Sequence, residues 1–280
     1  MNLLAFTILP EETVKKELFA CCGSEKWASA MMKHFPFTSE KQLVDLSSKI
    51  WYDECGEADW RESFTHHPKI GDVKSLTEKF AGKEQAGVAV ATQETIHHLA
   101  KANFDYENKN GFIFIVCATG KSATEMLALL NDRLQNTAEE ELQIAMGEQQ
   151  KITVIRFKKM LPDGDFRFLK VSQITTHVLD TSTGIPGKNI SIKLQAFRNN
   201  VWQTIAQGIT NADGRISDLL PQERNLKPDT YKMVFDTGSY YSDIKTFYPK
   251  VEIIFCTFDE THYHVPLLIN PFGYNTYRGS

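Results

Sequence analysis

The sequence predicts two domains of different class, an all-helical N-terminal half followed by an all-β half whose strand pattern is that of a sandwich or small barrel. Three observations support this division. Apolar residues recur at helical spacing through about the first 160 residues, and they alternate with polar residues from about residue 171. Between them, LPDGDFRFLKV contains a Pro-Asp-Gly turn that should end the last helix. We therefore expect a helical domain at 1–161, a linker at 162–170 and a β domain at 171–280.

Capping signatures mark the starts of three helices in the first half. The pairs are Ser39 with Gln42, Ser122 with Glu125, and Thr137 with Glu140. Helical spacing also runs through 11–22, 26–35 and 84–103. The apolar run GFIFIVCA at 111–118 has the β-branched and aromatic content of a buried strand, but its neighbours are all helical, and we predict a helix there.

Strict alternation predicts strands in the second half. In ISIKLQAF (190–197), Ile190, Ile192, Leu194 and Ala196 alternate with polar residues. In KVEIIFCTF (250–258), Val251, Ile253 and Phe255 repeat the pattern. The sequences TGIPGKN, NADGR and DTGSYYS lie between such runs and have the composition of turns. Several short strands separated by turns are typical of a sandwich.

The composition excludes several classes of partner. A formal net charge of −4 gives no electrostatic reason for binding nucleic acid or an anionic membrane. Five scattered cysteines without C-x-x-C spacing predict free thiols in a reducing compartment. Because no run reaches transmembrane length and the first residues lack a signal-peptide pattern, we expect a cytoplasmic protein.

Two adjacent histidines in THHPKIGD (65–72) are the first candidate for chemistry. Pro68 disfavours helix at His67, so His67 should lie on a stiff loop that could present a titratable imidazole to a small molecule. Glu84, in KEQAG, could pair with it and raise its pKa. The sequence alone does not bring His67 and Glu84 together.

A second candidate lies in the β half. In HYHVP (262–266), His262 and His264 should share one face of a strand. His177 precedes one turn-rich segment, and Arg215 follows the NADG turn. Two interpretations stay open: a zinc site built from three histidines, or metal-free hydrolysis with a neutral histidine as base and Arg215 stabilising an oxyanion.

The β half resembles 5-hydroxyisourate hydrolase, the transthyretin-like enzyme of urate breakdown, in THVLDTSTGIPG, DGR and HYHVPLLINPFGYNTYRGS. The resemblance implies His177, Arg215 and His264 as catalytic residues and no metal. It also implies that a terminal tetrapeptide, absent from transthyretin itself, closes the substrate site. Its residues are Tyr277, Arg278, Gly279 and Ser280.

The helical half resembles 2-oxo-4-hydroxy-4-carboxy-5-ureidoimidazoline (OHCU) decarboxylase in THHPKIGD, KEQAG and GFIFIVCATGKSATEML. The resemblance implies His67 as the catalytic histidine. The implied substrate-binding residues are Pro68, Glu84, Gln85 and Lys121. Ala81 stands where some family members have serine, which removes a possible hydrogen bond to the substrate.

Together the resemblances imply a bifunctional, allantoin-synthase-like fusion that needs no cofactor. The β domain would hydrolyse 5-hydroxyisourate to OHCU, and the helical domain would decarboxylate OHCU to (S)-allantoin. They also imply a homo-oligomer, because these hydrolases form tetramers and the decarboxylases often form dimers. Two alternatives remain: a transthyretin-like ligand-binding protein with an inactive helical domain, and a chain with one active half.

Overall fold

The computed structural model describes residues 1–67, 93–119, 121–169 and 171–279. It divides into two compact units, Met1–Phe166 and Arg167–Ser280. The first unit is helical and the second is built from two β-sheets, so the predicted two-domain fold class is confirmed. No helix in the described part of the chain is long and apolar enough to cross a membrane.

Helices supply the regular structure that is described in the first unit. They are α1 (Leu3–Thr7), α2 (Glu11–Cys22), α3 (Glu25–Met32), α4 (Glu40–Lys49), a π-helical turn (Ile50–Glu54), α5 (Glu57–Thr65), α6 (Gln93–Asn110), α7 (Ala123–Arg133) and α8 (Ala138–Met160). The reciprocal capping boxes predicted at the starts of α7 and α8 are present. Ser39 caps α4 as expected, but Gln42 accepts from the Thr38 backbone instead of returning to Ser39.

The helix predicted for 111–118 is wrong. The stretch 113–118 is neither helix nor strand, and Ile115 and Cys117 are buried while Val116 between them is partly exposed. Two of its backbone groups are paired with side chains from the neighbouring helices. Arg133 donates to the Ile115 carbonyl at 2.8 Å, and Glu148 accepts from the Cys117 amide at 2.6 Å. Side chains can therefore supply backbone hydrogen bonds to a partly buried segment that is neither helix nor strand.

Buried polar side chains set α8 apart from an ordinary amphipathic helix. Glu141, Gln149, Gln150 and Thr153 are fully buried. Buried polar groups need hydrogen-bond partners. Glu141 accepts from Arg133, Tyr106 and Asn136, all of which are also buried. This helix therefore fixes the helical unit through polar contacts as well as packing.

The second unit is a sandwich of two sheets. One sheet has the order β10-β9-β1-β2, with β5 and β8 also pairing with β1, and the other has the order β4-β3-β6-β7. The strands are β1 (Ile174–Asp180), β2 (Ile185–Pro186), β3 (Ser191–Arg198), β4 (Val201–Ile209), β5 (Arg215–Ile216), β6 (Thr230–Phe235), β7 (Val251–Cys256), β8 (Tyr263–His264), β9 (Leu267–Asn270) and β10 (Gly273–Thr276), with a short helix α9 (Thr237–Tyr240).

The apolar residues of the alternating sequence pattern fill the space between the two sheets. Ile192, Leu194 and Ala196 of β3 are buried, as are Val251 and Ile253 of β7. Because side chains alternate between faces, the intervening polar residues point away from the core. On β1 the same alternation leaves Thr175 and His177 partly exposed on the face opposite the core, and β8 and β5 pair with β1 at these two residues.

Candidate active sites

His67 lies just beyond α5, where it contacts two side chains of α8. Its Nε2 hydrogen-bonds the Gln149 amide oxygen, and its Nδ1 lies 3.4 Å from the Arg156 guanidinium. Gln149 and Arg156 are seven residues apart, two turns along one face of the helix. The sequence analysis did not identify Gln149 and Arg156 as site residues. Their polar character at a spacing of two helical turns was the available signal.

The hydrogen bonds of these partners define the tautomer of His67. The Gln149 amide nitrogen donates to the Cys22 carbonyl at 3.0 Å, which turns its oxygen toward the imidazole. His67 Nε2 must then be the donor. A guanidinium can only donate, so Nδ1 of His67 accepts from Arg156. Both constraints define a neutral imidazole that is protonated on Nε2 and has its lone pair on Nδ1.

The electrostatic environment supports the neutral form. Burial lowers the pKa of His67, the hydrogen bond with Gln149 raises it, and the charges of Arg156 and His66 lower it. Arg156 is itself held by the Cys21 carbonyl, to which it donates at 3.0 Å. The arrangement combines a ring nitrogen able to take up a proton with a cation beside it.

Most of the substrate-binding residues predicted for this half cannot be placed next to His67. Pro68, Glu84 and Gln85 lie outside the described residues, as does Ala81. Lys121 is described and partly exposed, and its amide donates to the Ala118 carbonyl at 3.2 Å. His66, the neighbour of the candidate base, packs edge-on against Phe19 with ring centroids 4.9 Å apart.

The NADGR turn brings Arg215 opposite His177 in the β unit. Asn211 Oδ1 accepts from the Arg215 amide at 3.0 Å, and the Gly214 carbonyl accepts from Val178 at 2.8 Å. Gly214 has φ of +69°, and a Cβ there would lie 2.3 Å from the Val178 carbonyl oxygen. Only glycine fits this close approach, which sets the antiparallel register between His177 and Arg215.

His264 joins this pair from the other side of β1. Strand β8 runs parallel to β1, with His264 in register with Thr175. The hydroxyl of Thr175 lies 2.9 Å from Nδ1 of His264 and 2.8 Å from Nε2 of His262. The imidazoles of His262 and His264 are stacked, with an interplanar angle of 20°, as their predicted shared face requires.

The surroundings of His177 and His264 favour the neutral forms of both side chains. Burial lowers the pKa of His177, and the nearby Arg215 charge lowers it further, while Asp213 opposes the shift. Burial also lowers the pKa of His264, together with the charges of Arg215, His262 and His177. Arg215 therefore acts on both rings, and the three side chains form one electrostatic cluster.

The C-terminal tail packs directly on His264. The Gly279 amide donates to the His264 carbonyl at 2.9 Å, and a Cβ on Gly279 would lie 2.5 Å from His264 Cδ2. The guanidinium of Arg278 lies over the Tyr263 ring, 5.2 Å from its centroid. Tyr277 is exposed, and Ser280 lies outside the described residues.

Two histidines of the zinc interpretation, His262 and His264, face a threonine hydroxyl. Within the described residues, no group of three or more His, Cys, Asp or Glu side chains is arranged to hold a metal ion. His262 and His264 each direct one ring nitrogen at the Thr175 hydroxyl. The arrangement that is present, two neutral imidazoles beside a cation, suits activation of water and stabilisation of an oxyanion.

Comparison with known proteins covers both units. The family described as OHCU decarboxylase matches residues 7–158, and the HIUase/Transthyretin family matches residues 174–279. The uric acid degradation bifunctional protein TTL of Arabidopsis thaliana is 32% identical, with the alignment covering 96% of this chain and 99% of that protein.

The chain belongs to this bifunctional family. As a member of the bifunctional uric acid degradation family, it carries a decarboxylase domain in its N-terminal part and a hydrolase domain in its C-terminal part, and the predicted fusion is confirmed. The 5-hydroxyisourate hydrolase of Mus musculus is 42% identical over 39% of the chain and 96% of its own length. A crystal structure of (S)-allantoin synthase aligns over 100% of both chains with 22% identity and a TM-score of 0.46.

Proposed function

We propose that the β unit hydrolyses 5-hydroxyisourate to OHCU and that the helical unit decarboxylates OHCU to (S)-allantoin. The observation that carries the proposal is the grouping of His177, Arg215 and His264 beside the tail glycine, in a chain that also presents a neutral His67 next to Arg156. Each cluster contains an imidazole able to exchange a proton and a cation able to bind a developing or existing negative charge.

Hydrolysis requires a nucleophilic water and a site for the oxyanion. His177 and His264 have lowered pKa values, so both can accept a proton at neutral pH. In our proposal they align and deprotonate water for attack on the ring carbonyl of the substrate. Arg215, the cation common to both, stabilises the tetrahedral oxyanion. Tyr277, Arg278, Gly279 and Ser280 close the substrate site.

Decarboxylation requires a place for the electrons and a proton for the carbanion. Loss of CO₂ leaves charge delocalised in the conjugated ring of OHCU, so no metal or pyridoxal is needed. His67 acts beside the substrate carboxylate, and Arg156 supplies a neighbouring positive charge. Delivery of a proton to one face of the ring gives the (S) product. Pro68, Glu84, Gln85 and Lys121 complete the proposed substrate-binding set.

We also propose a cytoplasmic homo-oligomer that acts on small molecules and binds neither nucleic acid nor membrane. A cytoplasmic location is supported by four buried thiols that form no disulfide, those of Cys21, Cys22, Cys55 and Cys117. The net charge of −4 supports the absence of nucleic-acid and membrane partners. Self-association is supported by β10 and β7, each at one end of its sheet, and by exposed apolar side chains such as Ile254 on β7. Edge strands of this kind can pair with a second copy.

The direct test supplies the full-length protein with 5-hydroxyisourate generated in place from urate by urate oxidase. We expect the substrate to disappear faster than in buffer, CO₂ to be released, and circular dichroism to report optically active allantoin. If the protein binds the substrate tightly but neither rate exceeds that in buffer, it is a ligand-binding protein and the proposal fails.

Gly279 offers a sharp test of the tail in the hydrolase site. Gly279→Ala should lower the hydrolysis rate by about 10²-fold, because the new methyl group would displace the His264 imidazole or the tail by a sizeable fraction of an ångström. The matched control is Gly273→Ala on β10, where the nearest atom to an added Cβ is 3.5 Å away. Equal rates for both variants would exclude the tail from the site.

A further inference from the structure

A threonine hydroxyl connects the candidate base of the hydrolase site to an exposed histidine. Thr175 Oγ1 lies 2.9 Å from His264 Nδ1 and 2.8 Å from His262 Nε2. The parallel register between β1 and β8 holds Thr175 directly opposite His264. His264 is partly buried, whereas His262 is exposed. The three groups therefore form a continuous hydrogen-bonded path from the site toward solvent.

The path couples the protonation states of the two rings. A threonine hydroxyl has one proton, so it can donate to only one of the two nitrogens and must accept from the other. When it donates to His262, Nδ1 of His264 carries a proton and Nε2 of His264 has the lone pair. This arrangement leaves His264 able to act as a base at Nε2.

Hydrolysis of a ring amide releases a proton at neutral pH, and this part of the argument depends on the proposed function. Attack of water forms a C–O bond and breaks the C–N bond. One proton of the water ends on the departing nitrogen. The other comes from the new carboxylic acid, which ionises at neutral pH. The base must therefore take a proton from water and later supply one to the departing nitrogen.

We propose that Thr175 and His262 form a proton relay that lets His264 act first as a base and then as an acid within one turnover. Once Nε2 of His264 has taken up a proton, Nδ1 passes its own proton to the Thr175 oxygen. The Thr175 hydroxyl proton moves to Nε2 of His262, and the Nδ1 proton of His262 leaves to solvent, so that His264 is neutral again with its proton on Nε2. That proton passes to the departing nitrogen as the C–N bond breaks. The chain then shifts back with a proton that His262 takes from solvent, which restores the lone pair on Nε2 of His264. No oxidant, metal or additional reactant is involved, and every proton is accounted for.

The surrounding charges favour movement of a proton away from His264 along this path. Arg215 and His177 face His264 from β5 and β1, and Arg215 opposes a lasting positive charge on that ring. Asp213 raises the pKa of His177, against the lowering effects of burial and Arg215. His262 is the member of the group that water reaches most directly. The relay therefore ends at the ring that is more exposed to water.

Substitutions at both relay positions test the proposal with the full-length protein. Thr175→Val keeps the shape and strand propensity but removes the hydroxyl, and Thr175→Ser restores it. We expect Thr175→Val and His262→Asn to lower kcat for hydrolysis about tenfold or more, with little change in KM. Thr175→Ser should recover most of the lost rate, and decarboxylation of OHCU should be unaffected in all three.

Rescue by added buffer separates proton transfer from a structural role. Imidazole added at increasing concentration should restore kcat in Thr175→Val and His262→Asn, because a diffusing base can accept the proton from the site. Absence of rescue, or wild-type kcat in both variants, would overturn the relay while leaving the proposed activity intact. Failure of the proposed function is a different result, in which the unmodified protein itself shows no hydrolysis.

Discussion

His67→Asn should slow decarboxylation by orders of magnitude and leave hydrolysis at the wild-type rate. Asparagine preserves a hydrogen-bonding side chain of similar reach, but it cannot take up a proton as the Nδ1 atom of His67 can. A positioned acid or base contributes about 10²–10⁴-fold, and we expect the rate of CO₂ release from OHCU to fall by a factor in that range. The measurement is the initial rate of CO₂ release with freshly formed OHCU.

His66→Asn is the matched control for this substitution. It changes the adjacent histidine in the same way, but the His66 ring packs on Phe19, whereas Gln149 and Arg156 both contact His67. We expect decarboxylation to remain close to the wild-type rate. If His66→Asn reduces CO₂ release as much as His67→Asn, loop disruption explains both results and the assignment of His67 is wrong.

Glu141→Gln should destabilise the helical unit by about 3–5 kcal/mol, because it leaves a buried arginine without its counter-ion. Arg133 is 2% exposed and Glu141 is 0% exposed, and their side chains lie 2.9 Å apart. Tyr106 and Asn136 also donate to this carboxylate. The measurement is the unfolding of the full-length protein followed by the helical circular-dichroism signal, to which the β unit contributes little.

Glu139→Gln provides the control on the same helix. Glu139 lies in the first turn of α8 and is exposed, so its loss should cost less than about 1 kcal/mol through the helix dipole. A similar cost for the two variants would show that the charge near the helix start matters and that the buried pair does not. Because Arg133 also holds the Ile115 carbonyl, Glu141→Gln should loosen the 113–118 segment as well.

The fold class could be predicted from the sequence because the spacing of apolar residues shows which face of a helix or strand is buried. The alternation in β3 and the capping boxes at Ser122 and Thr137 depend on residues close along the chain, and the structure confirms both. The stretch 111–118 was assigned wrongly because its backbone partners, Arg133 and Glu148, come from distant helices that no local pattern reveals.

In the candidate sites, too, local patterns could be predicted from the sequence and contacts between distant elements could not. Strand spacing was enough to place His262 and His264 on one face, and it could also have identified Thr175, which lies two residues before His177 on the same face of β1. Gln149 and Arg156 were missed because their importance depends on where α8 packs against the end of α5. Helical spacing makes them neighbours, but only the tertiary fold brings His67 to them.

The central claim is that two independent sites act in succession, and one assay on two variants tests it most directly. Urate and urate oxidase supply 5-hydroxyisourate to His264→Asn, to His67→Asn and to an equal mixture of both, while loss of 5-hydroxyisourate and release of CO₂ are followed together. We predict slow substrate loss with the first, rapid loss without accelerated CO₂ release with the second, and restoration of both rates in the mixture. If the two variants block the same step, or the mixture restores nothing, the account of two separate sites is contradicted.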